Sequence, residues 1–119
     1  MIVGIGTDIV KIDRIKKAVE KDAFKNRCYT RQEIASTSIS VESLAGNFAA
    51  KEAVSKALGT GFSCFGLLDI EILHNETGKP YVSLHRGAKK IADELGVCNV
   101  HLSISHEKEY AIAFAVAES

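Results

Sequence analysis

The stretch Asn47-Phe48-Ala49-Ala50-Lys51-Glu52-Ala53-Val54-Ser55-Lys56-Ala57-Leu58-Gly59-Thr60-Gly61 decides how this chain folds. It reads as the back half of a helix that runs into a glycine turn. Alanine, the best helix former, recurs through it and no proline interrupts it. Upstream, Ser40 is placed to cap the helix, and Glu42 falls in the first turn, where the helix dipole favours negative charge. Gly59 follows the last periodic residue, Leu58, as a C-terminal glycine does.

Side chains four apart on a helix are neighbours, so two rows run along this one. Ala45, Ala49, Ala53 and Ala57 form a row of small side chains that lets another backbone come close, and this row is predicted to be buried. The neighbouring row is Phe48, Glu52 and Lys56, with Lys51 and Ser55 a fraction of a turn away. Glu52 and Lys56 admit two readings. They are an exposed ion pair, worth a few tenths of a kcal/mol, or Glu52 holds a metal ion and Lys56 a phosphate.

The strand reading begins at Ile2–Val10. Gly4, Gly6 and Asp8 share one parity, and the two glycines leave room for close approach on that face. Asp8 at the strand's end is either a helix cap or a companion to Glu52. Ile12, Ile15, Val19 and Phe24 form a helical apolar stripe, and Thr30-Arg31-Gln32-Glu33 has the pattern of a capping box. Ser36–Ser40 reads as a loop. Asp69–His74 and Tyr81–His85 read as a hairpin around the turn Asn75–Pro80, which holds the only proline. Gly87–Leu95 reads as a short helix closed by Gly96. Val100–His106 and Tyr110–Ala117 read as a second hairpin. Its last strand alternates Tyr110, Ile112, Phe114 and Val116 with Ala111, Ala113, Ala115 and Ala117, and the alanine face is predicted to receive the alanine row of the central helix. Helices and antiparallel hairpins are mixed rather than alternating as βαβ units, so the expected class is α+β: an antiparallel sheet of hairpins packed on a long central helix.

At 119 residues, the expectation is one domain spanning residues 1–119. The hydrophobic share of 46% and charged share of 25% exclude a disordered chain. Fifteen basic and fifteen acidic residues cancel, so the total charge implies no nucleic-acid partner. The charge is unevenly placed, however. Between Lys11 and Arg31 there are eight basic and three acidic residues, a local excess of five positive charges. That block is either a solvated helix face or a docking surface for an acidic partner. Cys28, Cys64 and Cys98 are odd in number and widely spaced, which argues against a zinc site or a disulfide framework and for a reducing cytoplasm. No signal peptide is expected, because Asp8 interrupts the opening apolar run. No apolar run is long enough to cross a membrane.

Gly4-Ile5-Gly6-Thr7-Asp8-Ile9-Val10, Phe48 to Gly61, Asn75-Glu76-Thr77-Gly78-Lys79-Pro80 and Ser103-Ile104-Ser105-His106 together resemble the holo-acyl-carrier-protein synthases, the small bacterial type of 4′-phosphopantetheinyl transferase. The motifs fall in that family's order and span nearly the whole chain. The resemblance implies the 4′-phosphopantetheinyl transferase fold and a role in fatty acid biosynthesis. The implied reaction transfers 4′-phosphopantetheine from coenzyme A to a serine of apo acyl carrier protein, releasing adenosine 3′,5′-bisphosphate. It implies that Asp8 and Glu52 hold Mg2+, that Lys56 contacts a phosphate near the leaving oxygen, and that these three carry catalysis. Gly59-Thr60-Gly61, Gly78-Lys79-Pro80 and His106 would line the coenzyme A pocket. Arg14, Lys17, Lys21 and Arg27 would receive the carrier protein, and the family's homotrimer would place sites between subunits. Family members often carry Arg before the Phe of the helix, where this chain has Asn47. Without the resemblance, Gly-Thr-Gly is a weak anion motif, and His106, His74, His85 and His101 read as structural. The competing readings are a Mg-dependent hydrolase of nucleotide diphosphates and a non-catalytic module whose basic helix binds an acidic protein.

Overall fold

Strand β1 (Ile2–Lys11) opens the chain in the computed structural model, which describes residues 1–36 and 40–119. Three short helices follow, α1 (Ile12–Ala18), α2 (Asp22–Cys28) and α3 (Arg31–Ala35), and then the long α4 (Val41–Ala57). A 3-10 turn at Leu67–Asp69 leads into β2 (Ile70–His74) and β3 (Pro80–Leu84). Helix α5 (Arg86–Leu95) connects these to β4 (Asn99–His106) and β5 (Tyr110–Glu118). The predicted apolar stripe from Ile12 to Phe24 is split between two helices, because the chain turns after Val19, where the Lys21 N–H bonds to Ala18 O at 3.2 Å. The loop expected at Ser36–Ser40 falls largely on residues 37–39, outside the described residues.

Local chemistry explains most of the boundaries. The Thr30 hydroxyl accepts from Glu33 N at 3.1 Å and Glu33 Oε1 accepts from Thr30 N at 2.7 Å, a reciprocal capping box. The Ser40 hydroxyl accepts from Ser43 N at 3.0 Å and starts α4. Gly96 closes α5 in the left-handed region, φ 76°.

The strands form an antiparallel sheet in the order β1-β5-β4 and a separate β2-β3 hairpin. Asp8 lies opposite Ala113, which lies opposite Ile104. Helix α4 crosses the inner face of the larger sheet. Its alanine row, Ala45, Ala49, Ala53 and Ala57, is buried, as are Ala111, Ala113, Ala115 and Ala117 of β5. The approach is closest at β1. A Cβ on Gly4 would stand 2.0 Å from Ala57 O, and one on Gly6 would stand 1.9 Å from Ala53 O. Strand and helix therefore meet backbone to backbone, which only glycine permits there.

The outer face of the same sheet is the reverse. Ile5 is 59% exposed, Ile9 62%, Ile112 44% and Phe114 47%. These side chains lie in adjacent register, with Ile9 opposite Ile112, and make a continuous apolar surface.

Lys51, a fraction of a turn from the Glu52 row as the spacing expected, points about 100° away around the helix and, as the sequence did not show, is fully buried. Its ammonium donates to Glu33 Oε1 at 2.8 Å, Leu67 O at 3.0 Å and Ile70 O at 2.6 Å, so each of its three N–H bonds has a partner. Glu33 Oε2 in turn accepts from Ile72 N at 3.0 Å. Burial pulls the Lys51 pKa down and the Glu33 charge pushes it back up. The pair ties α3 and β2 to α4. Lys51→Met leaves the Glu33 carboxylate buried without its cation, and the expected loss is about 3–5 kcal/mol in denaturant unfolding. Gly6→Ala is expected to cost about 3 kcal/mol by the same measurement, because the methyl group meets helix backbone that cannot rotate away.

Candidate active site

The glycine contact decides where Asp8 goes. With Gly4 and Gly6 pressed on α4, the next residue of that parity faces the same helix at its solvent-open edge. There Asp8 and Glu52 line one pocket of about 380 Å³ with Arg14, Ile15, Phe24 and Phe48. Asp8 is no helix cap, since the cap position of α1 is Lys11 and carries no side-chain bond. Burial raises the Glu52 pKa, the Asp8 charge raises it further, and Lys56 opposes both. The two carboxylates thus face one pocket, where the charge of Asp8 disfavours that of Glu52.

Lys56 reaches across to β1. Its Nζ lies 3.3 Å from Asp8 Oδ1 and donates to Thr7 O at 3.0 Å. It makes this pair with Asp8, rather than the helix pair with Glu52 that spacing offered. Its side chain is 51% exposed and free to meet a second anion.

The turn after α4 holds Gly59 at φ 82° and Gly61 at φ 55°. Two of its N–H groups are already engaged, Gly59 N to Lys56 O at 2.9 Å and Gly61 N to Ser55 O at 3.2 Å. They finish the helix end, which leaves the turn few free donors for an anion and agrees with its weakness as an anion motif in sequence. Thr60 Oγ1 donates to Gly61 O at 2.9 Å.

The remaining residues read as pocket lining stand apart from the carboxylates within this chain. His106 lines a shallow depression with Ser40 and Glu42 at the start of α4, and Glu52 is ten residues on, about 15 Å along the axis. The Gly78-Lys79-Pro80 turn caps the β2-β3 hairpin, where Asn75 Oδ1 accepts from Thr77 N and Lys79 N at 3.0 Å each. Beside that hairpin, Asn47 lines a cleft on a side of α4 about 140° from Glu52. Arg14, Lys17, Lys21 and Arg27 are all exposed. None has a salt-bridge partner among the described residues. Arg14 alone of the four also lines the carboxylate pocket. Sequence reading missed Phe24 as part of that pocket. Its ring stacks with Phe48, centroids 6.3 Å apart, and the only signal for the pair was Phe48 standing one turn before Glu52.

Residues 4–115 match the family model described as the 4′-phosphopantetheinyl transferase superfamily. The chain belongs to this superfamily. A holo-[acyl-carrier-protein] synthase of Clostridium novyi is a transferase of this kind, 54% identical over 99% of this chain and 88% of its own length. One from Clostridium beijerinckii is 51% identical over 100% of this chain and 99% of its own. Among solved transferases, the Neisseria meningitidis synthase superposes with a TM-score of 0.91 at 39% identity, covering all of both chains. The Helicobacter pylori synthase in complex with coenzyme A gives 0.85 at 37% identity, covering 96% of this chain and 99% of that one.

For this transferase, the strained carboxylate pair has a consequence for stability. The folded pKa of Glu52 stands above its ordinary 4.5, so its charge disfavours the fold once pH rises past that value. Without metal, Glu52→Gln is expected to melt at an equal or higher temperature than the native protein at pH 7. The difference should disappear as pH falls below about 4.5, as thermal melts across pH would record.

Proposed function

We propose that Asp8 and Glu52 hold a Mg2+ ion, and that the diphosphate of coenzyme A binds there beside Lys56. The enzyme is a holo-[acyl-carrier-protein] synthase, transferring 4′-phosphopantetheine from coenzyme A to a serine hydroxyl of apo acyl carrier protein. The observation that carries the site assignment is the shared pocket of two mutually repelling carboxylates with a lysine at 3.3 Å. Among the described residues no group of three or more acidic, histidine or cysteine side chains gathers to make a metal cage. Two carboxylates fit Mg2+, which usually takes one or two and leaves its other positions to water and substrate phosphate. When bound, the ion would offset the charge of the diphosphate.

The chain's own groups supply the rest. The serine oxygen forms a bond to the phosphorus that bears pantetheine, and the bond from that phosphorus to the adenosine 3′,5′-bisphosphate oxygen breaks. Lys56 Nζ, half exposed and already held against β1, donates to the phosphate as charge builds on the leaving oxygen. Glu52, whose carboxylate holds a proton more readily than usual, accepts the serine proton directly or through water. Gly59, Thr60 and Gly61 border the phosphates. Gly78, Lys79, Pro80 and His106 border the adenosine.

Residues 1–119 act as one catalytic domain, and the assembly is a homotrimer. Two observations support this. Ile5, Ile9, Ile112 and Phe114 are exposed together on the outer face of the sheet, an apolar patch of the kind that marks a protein interface. The two groups of pocket residues are also apart within one chain and need a neighbour to meet. Arg14, Lys17, Lys21 and Arg27 receive the acidic carrier protein, and their lack of internal partners leaves their charge available to it. No helix among the described residues is long and apolar enough to cross a membrane. A cytoplasmic setting also suits the absence of disulfides among the three cysteines.

Asp8→Ala and Glu52→Ala are each expected to lower transfer by about 10³ with little change in melting temperature, followed by mass spectrometry of the carrier. Full activity in either would remove the metal-site assignment. Arg14→Glu should raise the carrier-protein KM about tenfold and leave that for coenzyme A nearly unchanged. Equal effects on both substrates would contradict the docking role.

A further inference from the structure

The corner between β3 and α5, His85-Arg86, carries two acid–base contacts and a strained backbone. Among the described residues Arg86 is the one non-glycine at positive φ, 45°, a conformation that an L side chain keeps only where its surroundings enforce it. Asp69, at the end of the 3-10 turn, enforces it twice. Its carbonyl accepts from His85 N at 2.8 Å, and its carboxylate accepts from Arg86 Nε at 2.7 Å. One residue earlier, His85 Nε2 lies 3.0 Å from Glu71 Oε1.

Glu71 is a buried carboxylate on β2, 7% exposed, and its other oxygen accepts from Thr30 Oγ1 at 2.6 Å. Thr30 caps α3, and its N–H is held by Glu33, the partner of Lys51. Side-chain hydrogen bonds therefore run from the corner through β2 and α3 to α4. On its other side the corner is packed tightly. A Cβ on Gly87 would stand 3.0 Å from Cys64 O and from Phe65 Cβ.

Histidine is the residue type here that changes charge between about pH 5 and 8. The His85 side chain is 38% exposed and so exchanges protons with solvent. Charges face it from every neighbouring element. Glu71 on β2 is in contact. Arg86 on α5 and Arg31 on α3, which line one cleft with Thr30, oppose a charge on His85, and Asp69 offsets Arg86. Behind Glu71, Glu33 and Lys51 offset each other, and Lys89 on α5 is paired with Asp93. Burial pushes the Glu71 pKa up, but the Thr30 and His85 hydrogen bonds and the His85 charge bring it below its ordinary 4.5. Glu71 therefore stays ionised across the neutral range.

We propose that His85 and Glu71 form a pH-sensitive clasp on the β3–α5 corner, closed against β2 when the imidazole is protonated and opening locally when it is neutral. The Glu71 carboxylate favours the protonated imidazole, so the clasp holds fully on the acid side of neutrality and weakens as pH rises past it. It is lost again well below pH 4.5, where Glu71 takes up a proton. A neutral imidazole still donates from Nε2, but without the charge that roughly doubles the strength of such a bond. With the clasp weakened, the strained Arg86 backbone is held by Asp69 alone. The clasp lies outside the carboxylate pocket and operates whether or not the transferase reading holds.

Amide hydrogen exchange reads the corner directly. The His85 N–H bonds to Asp69 O, and the Ala88 and Lys89 N–H groups bond to His85 O. Corrected for the intrinsic pH dependence of exchange, their rates are expected to rise about fivefold in the native protein between about pH 6 and pH 8, while Ala113 and Ala115 of β5 do not follow. His85→Gln keeps a neutral donor and removes the charge, so its corner should exchange at a raised rate that does not vary with pH. Native rates that stay constant, or the same rise in His85→Gln, overturn the clasp. A rise shared equally by β5 also overturns it, because the whole fold would then be loosening. Glu71→Gln should abolish the pH dependence too, and it supplies the readout should His85→Gln fail to fold; a dependence that survives there overturns the pairing.

Discussion

The contact of β1 backbone with α4 backbone, at Gly4 and Gly6 against the Ala57 and Ala53 carbonyls, is the constraint on which the other features rest. It fixes strand and helix at a separation that side chains cannot adjust. Because side chains alternate along a strand, fixing Gly6 inward fixes Asp8 inward too. Because helical residues repeat every 3.6 positions, fixing Ala53 and Ala57 under the strand brings Glu52 and Lys56 to the strand's flank. The meeting of Asp8, Glu52 and Lys56 follows from packing alone.

A second constraint holds the other side of α4. Lys51 and Glu33 are both fully buried, and their hydrogen bonds run to α3, β2 and the turn before it. A buried pair of this kind is weak evidence for added stability, but it is strongly directional. It closes the back of the cleft beside Asn47 and engages Glu33, the one acidic side chain lining it among the described residues.

Much of the architecture was legible because it is written in local patterns. The alanine rows, the capping box at Thr30, the Ser40 cap and the strict alternation of β5 each need only near neighbours to be read. Four features were not. The burial of Lys51 was hidden, because its partner Glu33 is eighteen residues away and no local spacing joins them. Lys56 offered a helix pair with Glu52, and only the fold brings Asp8 nearer. The Gly59-Thr60-Gly61 turn was a weak anion motif in sequence, and nothing local shows that two of its N–H groups close the helix end. The separation of His106 and the Gly78 turn from the carboxylates also needs three dimensions, since sequence order carries no measure of the angle around α4.

The two faces of the larger sheet are held by different rules. On the inner face a single added carbon at Gly4 or Gly6 strikes main chain, whereas on the outer face Ile5, Ile9, Ile112 and Phe114 touch little within their own chain. Mutational drift is therefore confined to one side. Apolar exchanges on the outer face meet no main chain of the helix, while inside the backbone contact holds the spacing of Asp8, Glu52 and Lys56.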